Sequence, residues 1–191
     1  MQNMQIVRAK KYLYRYDEIV NQMAEKMLSQ NVTNCITINF IKCMIPHHQA
    51  AIYMSENLLE YTRYQPLQEI AKNIIKMQTE QIEQMEEICK TTYGFPNTQQ
   101  AVDNYMQKYL EITKSMIDEM RNTPRCVNIN LNFINEMILH HQGAIAMCEN
   151  LLSYRIDPRL KLIADSIIKE QSEGVKQLKE VQKRLCGKNG M

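Results

Sequence analysis

The feature that most constrains this chain is that it repeats itself. Shifted by 93 positions (133 − 40), Phe40-Ile41 falls on Phe133-Ile134, Met44-Ile45 on Met137-Ile138 and His47-His48-Gln49 on His140-His141-Gln142. Of the 49 positions from Phe40 to Ile88, 25 are identical to their counterparts from Phe133 to Val181. The match continues upstream, where Tyr12, Tyr16, Met23 and Met27 fall on Tyr105, Tyr109, Met116 and Met120. Agreement of that length at one fixed period marks a tandem duplication. The fold is therefore expected to use one unit twice, residues 1–96 forming the first copy and 97–191 the second.

Each copy reads as three helices. The first is expected over about 4–29 and 99–121, ending in the turn-rich stretches Ser29–Asn34 and Arg121–Arg125. The second runs from about 37 to 61 and from 130 to 154. Its apolar positions Ile41, Met44, Ile52 and Leu58-Leu59 keep the three-and-four spacing of a buried helix face. The third begins at Pro66 or Pro158, and proline suits a first helical turn. Asp157 is placed to cap the latter. Gly94 and Pro96 end the helix before the linker, and Pro46 is expected to bend the second helix just before its histidines. Two amphipathic helices cannot bury their stripes alone, but two such pairs can. The expected fold is all-α: six helices from two three-helix repeats, with a four-helix bundle core of pseudo-twofold symmetry and the first helix of each copy outside it.

Charge and composition exclude several classes of function. Lys and Arg number 23 against 21 Asp and Glu, and no like-charged block occurs, so neither nucleic acid nor an anionic membrane is expected as partner. No apolar run nears the roughly 20 residues of a membrane span. No signal peptide is seen, which suggests a cytoplasmic protein. The six cysteines form no C-x-x-C pair, and four lack a counterpart in the other copy, so free thiols are expected. Protein partners are left open, as is a homo-oligomer.

All four histidines of the chain sit in the two His-His pairs. Successive helical residues point about 100° apart, so the members of a pair face different ways. His48 and His141 fall mid-stripe, and His47 and His140 on its flank. Met44 and Met137 stand one turn before them. Gln78 and Gln171 occupy the stripe of the third helix. Buried imidazole or amide groups need partners, or each costs on the order of 1–3 kcal/mol. Two explanations stand open. One is a core network, with His48 bonded to Gln78 or to a carbonyl. The other is metal, because imidazole with thioether is a soft, neutral donor set suited to Cu(I). The candidate metal ligands are Met44, His47, His48 and Met54, with Met137, His140, His141 and Met147. Cys43, four residues before His47, makes the first copy the softer site, since Glu136 takes that position in the second. Met23, Met27, Met116 and Met120 are expected to be packing.

The stretch Met44-Ile-Pro-His-His-Gln-Ala-Ala-Ile-Tyr-Met54, followed by an Ile-Ile-x-x-Gln helix, resembles the bacterial family called domain of unknown function 305. The resemblance covers nearly the whole chain, one signature per copy. It implies a ferritin-like bundle and raises the expectation of copper as cofactor. It carries over to Met44, His47, His48, Gln49 and Met54, and to Met137, His140, His141, Gln142 and Met147. An enzyme is not expected: a ferritin-like oxidase needs Glu-x-x-His pairs, and Glu136 to His140 is Glu-x-x-x-His in one copy only. Copper binding or buffering is the function expected, with a structural or protein-interaction bundle without metal as the alternative.

Overall fold

A computed structural model describes residues 2–92 and 95–187. Six helices follow one another: α1 (Gln2–Leu28), α2 (Ile36–Tyr61), α3 (Gln65–Thr91), α4 (Gln99–Arg121), α5 (Ile129–Leu152) and α6 (Pro158–Gly187). No strand occurs among the described residues, and no helix there is long and apolar enough to cross a membrane. The fold is an all-α bundle.

Local chemistry sets the helix ends. Asp157 caps α6 as expected, its Oδ1 accepting the Arg159 N–H at 2.9 Å. Pro66 lies in the first turn of α3. Thr98 and Asn128 cap α4 and α5 through their side-chain oxygens. α5 stops at Leu152, two residues short of the expected end, where Ser153 forms its C-cap. The expected stop at Gly94 lies outside the described residues. Pro46 is accommodated inside α2, which runs unbroken from Ile36 to Tyr61.

Packing joins α2 to α3, α3 to α6, α6 to α5 and α5 to α2, a closed ring of four helices. α1 lies against α2, α4 lies against α5, and α1 and α4 meet. Phe40, Ile41 and Leu58 of α2 are buried, as are Phe133, Ile134 and Leu151 of α5. Each such side chain contributes roughly 1.5–3 kcal/mol on burial. The polar contacts recur 93 residues apart. Tyr16 donates its hydroxyl to the Met120 carbonyl and Tyr109 to that of Met27, both at 3.2 Å. Asn57 Nδ2 donates to the Tyr12 carbonyl, and Asn150 Nδ2 to that of Tyr105. These bonds tie α1 and α4 to the ring and to each other, which fixes α2 and α5 side by side.

The burial pattern makes a direct prediction. Phe40→Ala should lower unfolding free energy by about 3–5 kcal/mol. Leu162→Ala, at a side chain 71% exposed, should change it by less than about 0.5 kcal/mol. Urea denaturation followed by circular dichroism measures both, and equal effects would contradict the packing described.

Candidate functional site

The interior of the ring is where the histidines meet. α2 and α5 are the most apolar helices, yet each carries two consecutive imidazoles, and all four rings are at most 2% exposed. His47 and His140 turn toward each other across the α2–α5 contact, their ring centroids 3.7 Å apart and tilted by 31°. His48 and His141 turn outward, toward the third helix of their own half.

Hydrogen bonds fix two of the tautomers. His48 Nε2 lies 2.8 Å from Gln81 Oε1. The Gln81 amide is oriented by its NH2 group, which donates to Glu170 Oε2 at 2.8 Å, while Ser166 donates to Glu170 Oε1 at 2.7 Å. Gln81 therefore presents oxygen to His48, so His48 Nε2 carries the proton and Nδ1 is a bare lone pair. His140 Nε2 lies 3.0 Å from the His47 carbonyl, so His140 Nδ1 is a bare lone pair too. Both of these nitrogens are buried without a partner, as are His141 Nδ1 and both ring nitrogens of His47. Gln78 Oε1 and both amide atoms of Gln171 are likewise unpartnered.

Burial keeps the rings uncharged. It lowers His48 to a pKa of about 4 and His141 to about 3. His47 and His140 are pushed well below the ordinary value by burial first and by the neighbouring imidazoles second. All four offer neutral nitrogen at pH 7.

Met44, Met54, Met137 and Met147 are buried on the same two helices. The structure thus buries all eight expected residues on α2 and α5. It does not gather them into a ligand cage: among the described residues no three His, Cys, Asp or Glu side chains converge as a metal-holding group. Stacked rings aim their in-plane lone pairs side by side rather than at one point, which is the physical reason for His47 and His140. Cys43 does not join the histidines either. Its thiol lies 3.9 Å from the Met27 carbonyl, toward α1, and burial raises its pKa. All six cysteines are free thiols.

Two partners differ from the sequence reading. Gln81, not Gln78, meets His48. Its place one turn beyond Gln78 on the same face was the available signal. Glu136, which the sequence marks as the counterpart of Cys43 and as four residues before His140, is 1% exposed and accepts the Tyr12 hydroxyl at 2.6 Å. Burial pushes its carboxyl up to about 8. At the α3–α6 seam a cavity of about 220 Å³ reaches His141. Gly174 stands there at the position that Gln81 holds on α3, and a Cβ on it would lie 3.0 Å from His141 Nε2.

The family model "Domain of unknown function (DUF305)" matches residues 37–182, the span that carries both histidine pairs. The chain belongs to the DUF305 family. A crystal structure of a DUF305 fragment from Deinococcus radiodurans is similar to it, with a TM-score of 0.56 and 24% identity, covering 78% of this chain and 96% of that one. That likeness concerns the fold. No curated protein matches the chain.

The titrating groups of this DUF305 bundle bracket its stability in opposite senses. The histidines stay neutral when folded but take protons near 6.5 when unfolded, so stability falls as pH drops below 6.5 toward 4. Glu136 holds its proton up to about 8 when folded but loses it near 4.5 when unfolded, so its contribution falls as pH rises from 4.5 through 8. Four groups outweigh one on the acid side, which puts the maximum for the metal-free protein near pH 6.5. Urea midpoints measured from pH 4.5 to 8.5 should trace that peak. Glu136→Gln should flatten the alkaline limb and leave the acid limb intact, whereas a midpoint that stays flat below pH 6.5 would refute the neutral-histidine core.

Proposed function

We propose that this protein is a metal-binding bundle that holds copper as Cu(I). The ligands are drawn from Met44, His47, His48 and Met54 on α2 and from Met137, His140, His141 and Met147 on α5. The observation that carries this reading is the set of five buried imidazole nitrogens without a hydrogen-bond partner. A buried polar atom left unmatched costs on the order of 1–3 kcal/mol, and a bound ion would recover that loss.

The donor chemistry fits the ion. The imidazoles are neutral, and at His48 Nδ1 and His140 Nδ1 the lone pair is free. The thioethers of Met44, Met54, Met137 and Met147 on the same two helices are buried and uncharged. Nearby carboxylates are engaged elsewhere, Glu136 with Tyr12 and Glu170 with Gln81 and Ser166. A soft cation of low charge suits such an interior, while a hard divalent ion would need carboxylates. Bound there, copper is stored rather than used in catalysis, and no catalytic group is assigned. His47 and His140 must slide out of their stack to share one ion, so the protein's own part is to hold nitrogen neutral, dry and loosely committed. We also take the two halves as copies of one unit in a ferritin-like, pseudo-twofold arrangement, a reading supported by the hydrogen bonds that recur 93 residues apart.

One observation favours a second reading, a bundle whose histidines serve only the core. The Ser166–Glu170–Gln81–His48 chain is a continuous hydrogen-bonded network that runs from part-buried groups on α6 to the buried His48 on α2.

An anaerobic Cu(I) titration of reduced protein against a chromophoric chelator separates the two. Wild type should take up copper, and a concentration 100 times Kd should add about 2.7 kcal/mol of stability. His47→Ala/His48→Ala should lose at least tenfold in affinity, and His48→Gln/His140→Gln should do so with less disturbance of packing. Uptake unchanged in both variants would assign it to the thiols. The absence of uptake would leave the histidines as core, and either result would reject the proposal.

A further inference from the structure

The α3–α6 cavity is a different kind of site from the histidine stack. Its volume of about 220 Å³ is several times the roughly 30 Å³ share of a water molecule. It falls just short of the roughly 300 Å³ at which pockets begin to take drug-sized ligands. Its existence follows from one residue. On α3, Gln81 sends an amide to His48 Nε2. On α6 the corresponding position is Gly174, with no side chain, and His141 is left without a hydrogen bond among the described residues. An amide is missing where the other half has one.

The surrounding groups define what could replace it. Gln171 is 4% exposed and presents both amide atoms unpartnered, a donor beside an acceptor. Gln78 is 3% exposed, with its Oε1 also unpartnered. Both line the cavity with His141. Of the charged residues that line it, Lys169 and Glu173 are exposed and Glu170 is committed to Gln81 and Ser166, while the buried polar groups Gln78, Gln171 and His141 are uncharged. Ile74 and Met77 supply apolar wall.

A glutamine amide pairs edge to edge with a group that carries a donor next to an acceptor, as in the bidentate contact to an adenine edge. From these residues we infer that the cavity is a binding site for a small, flat, uncharged molecule bearing a carboxamide edge or the amino-plus-ring-nitrogen edge of an aminopyrimidine. Its polar edge lies against Gln171 and Gln78, its ring lies between Ile74 and Met77, and one further hydrogen bond reaches His141. A charged carboxylate of the same size binds more weakly, since the buried groups offer it no counter-charge and the exposed Lys169 is screened by solvent. This site does not depend on metal binding.

Ligand-observed NMR and calorimetry on metal-free protein test the assignment, with nicotinamide and adenine as probes and nicotinate as the charged isostere of the first. Nicotinamide and adenine should bind, and nicotinate should bind at least tenfold more weakly than nicotinamide. Gly174→Gln places in the cavity the side chain that α3 already carries and should weaken both probes at least tenfold. His141 must shift by a few tenths of an ångström to admit the new Cβ, so Gln171→Leu provides a second variant. It keeps the volume, removes the amide edge and should weaken both probes to a similar degree without loss of stability. No binding of either probe to wild type would overturn the inference. So would equal binding of nicotinate, or probe affinity unchanged in both variants.

Discussion

Four imidazoles can share a dry interior only while none of them is charged, and the architecture is arranged around that condition. His47 and His140 lie 3.7 Å apart. Two cations at that separation would repel by roughly 4 kcal/mol even at an effective dielectric of 20. Neutral rings can stack, so α2 and α5 can approach closely enough to pack. The rest of the ring follows from that approach: α3 and α6 close over the outward-facing histidines, while α1 and α4 seal the opposite side. Neutrality also makes the rings useful, because an unprotonated imidazole has a lone pair to give.

Most of the architecture was legible in the residues. The three-and-four spacing of Ile41, Met44, Ile52 and Leu58 marks α2 as buried, and Asp157-Pro158 marks the start of α6 to the residue. What could not be read was rotation. Gln78 and Gln81 lie one turn apart on the same stripe, and which of them reaches His48 depends on how α3 rolls against α2, a tertiary quantity that hydrophobic period does not encode. Glu136 escaped for a related reason. Its partner Tyr12 is 124 residues away, so no local pattern signals that a carboxyl on α5 is buried and held protonated. The stack of His47 on His140 was equally hidden: the spacing of each pair gives its two directions, but not that one direction from each helix would meet the other.

α3 and α6 show how two helices of matching sequence carry different chemistry. Gln81 and Gly174 occupy corresponding places, yet one completes a hydrogen-bond chain through Glu170 and the other opens a cavity. Gln81 against Gly174 is one difference, and Met77 against Glu170, which anchors the Gln81 amide, is another. Correspondence in sequence therefore does not carry correspondence of site, and the helix with the emptier wall is the one that leaves His141 lining a cavity.

The tyrosine hydroxyls that cross between α1 and α4 bear on how the molecule forms. Tyr16 reaches Met120 over 104 residues and Tyr109 reaches Met27 over 82. Contacts so distant in sequence form late, because their loop-closure entropy is recovered only when every partner is present. The α2–α3 and α5–α6 hairpins need only short turns and can close first. The contact of His47 with His140 joins α2 to α5, so the imidazoles are shielded from protons only in the step that joins the two halves. Each unit of pH below the ordinary histidine value adds about 1.4 kcal/mol per imidazole to that step. Acidity thus acts on this chain as an opponent of assembly rather than of helix formation.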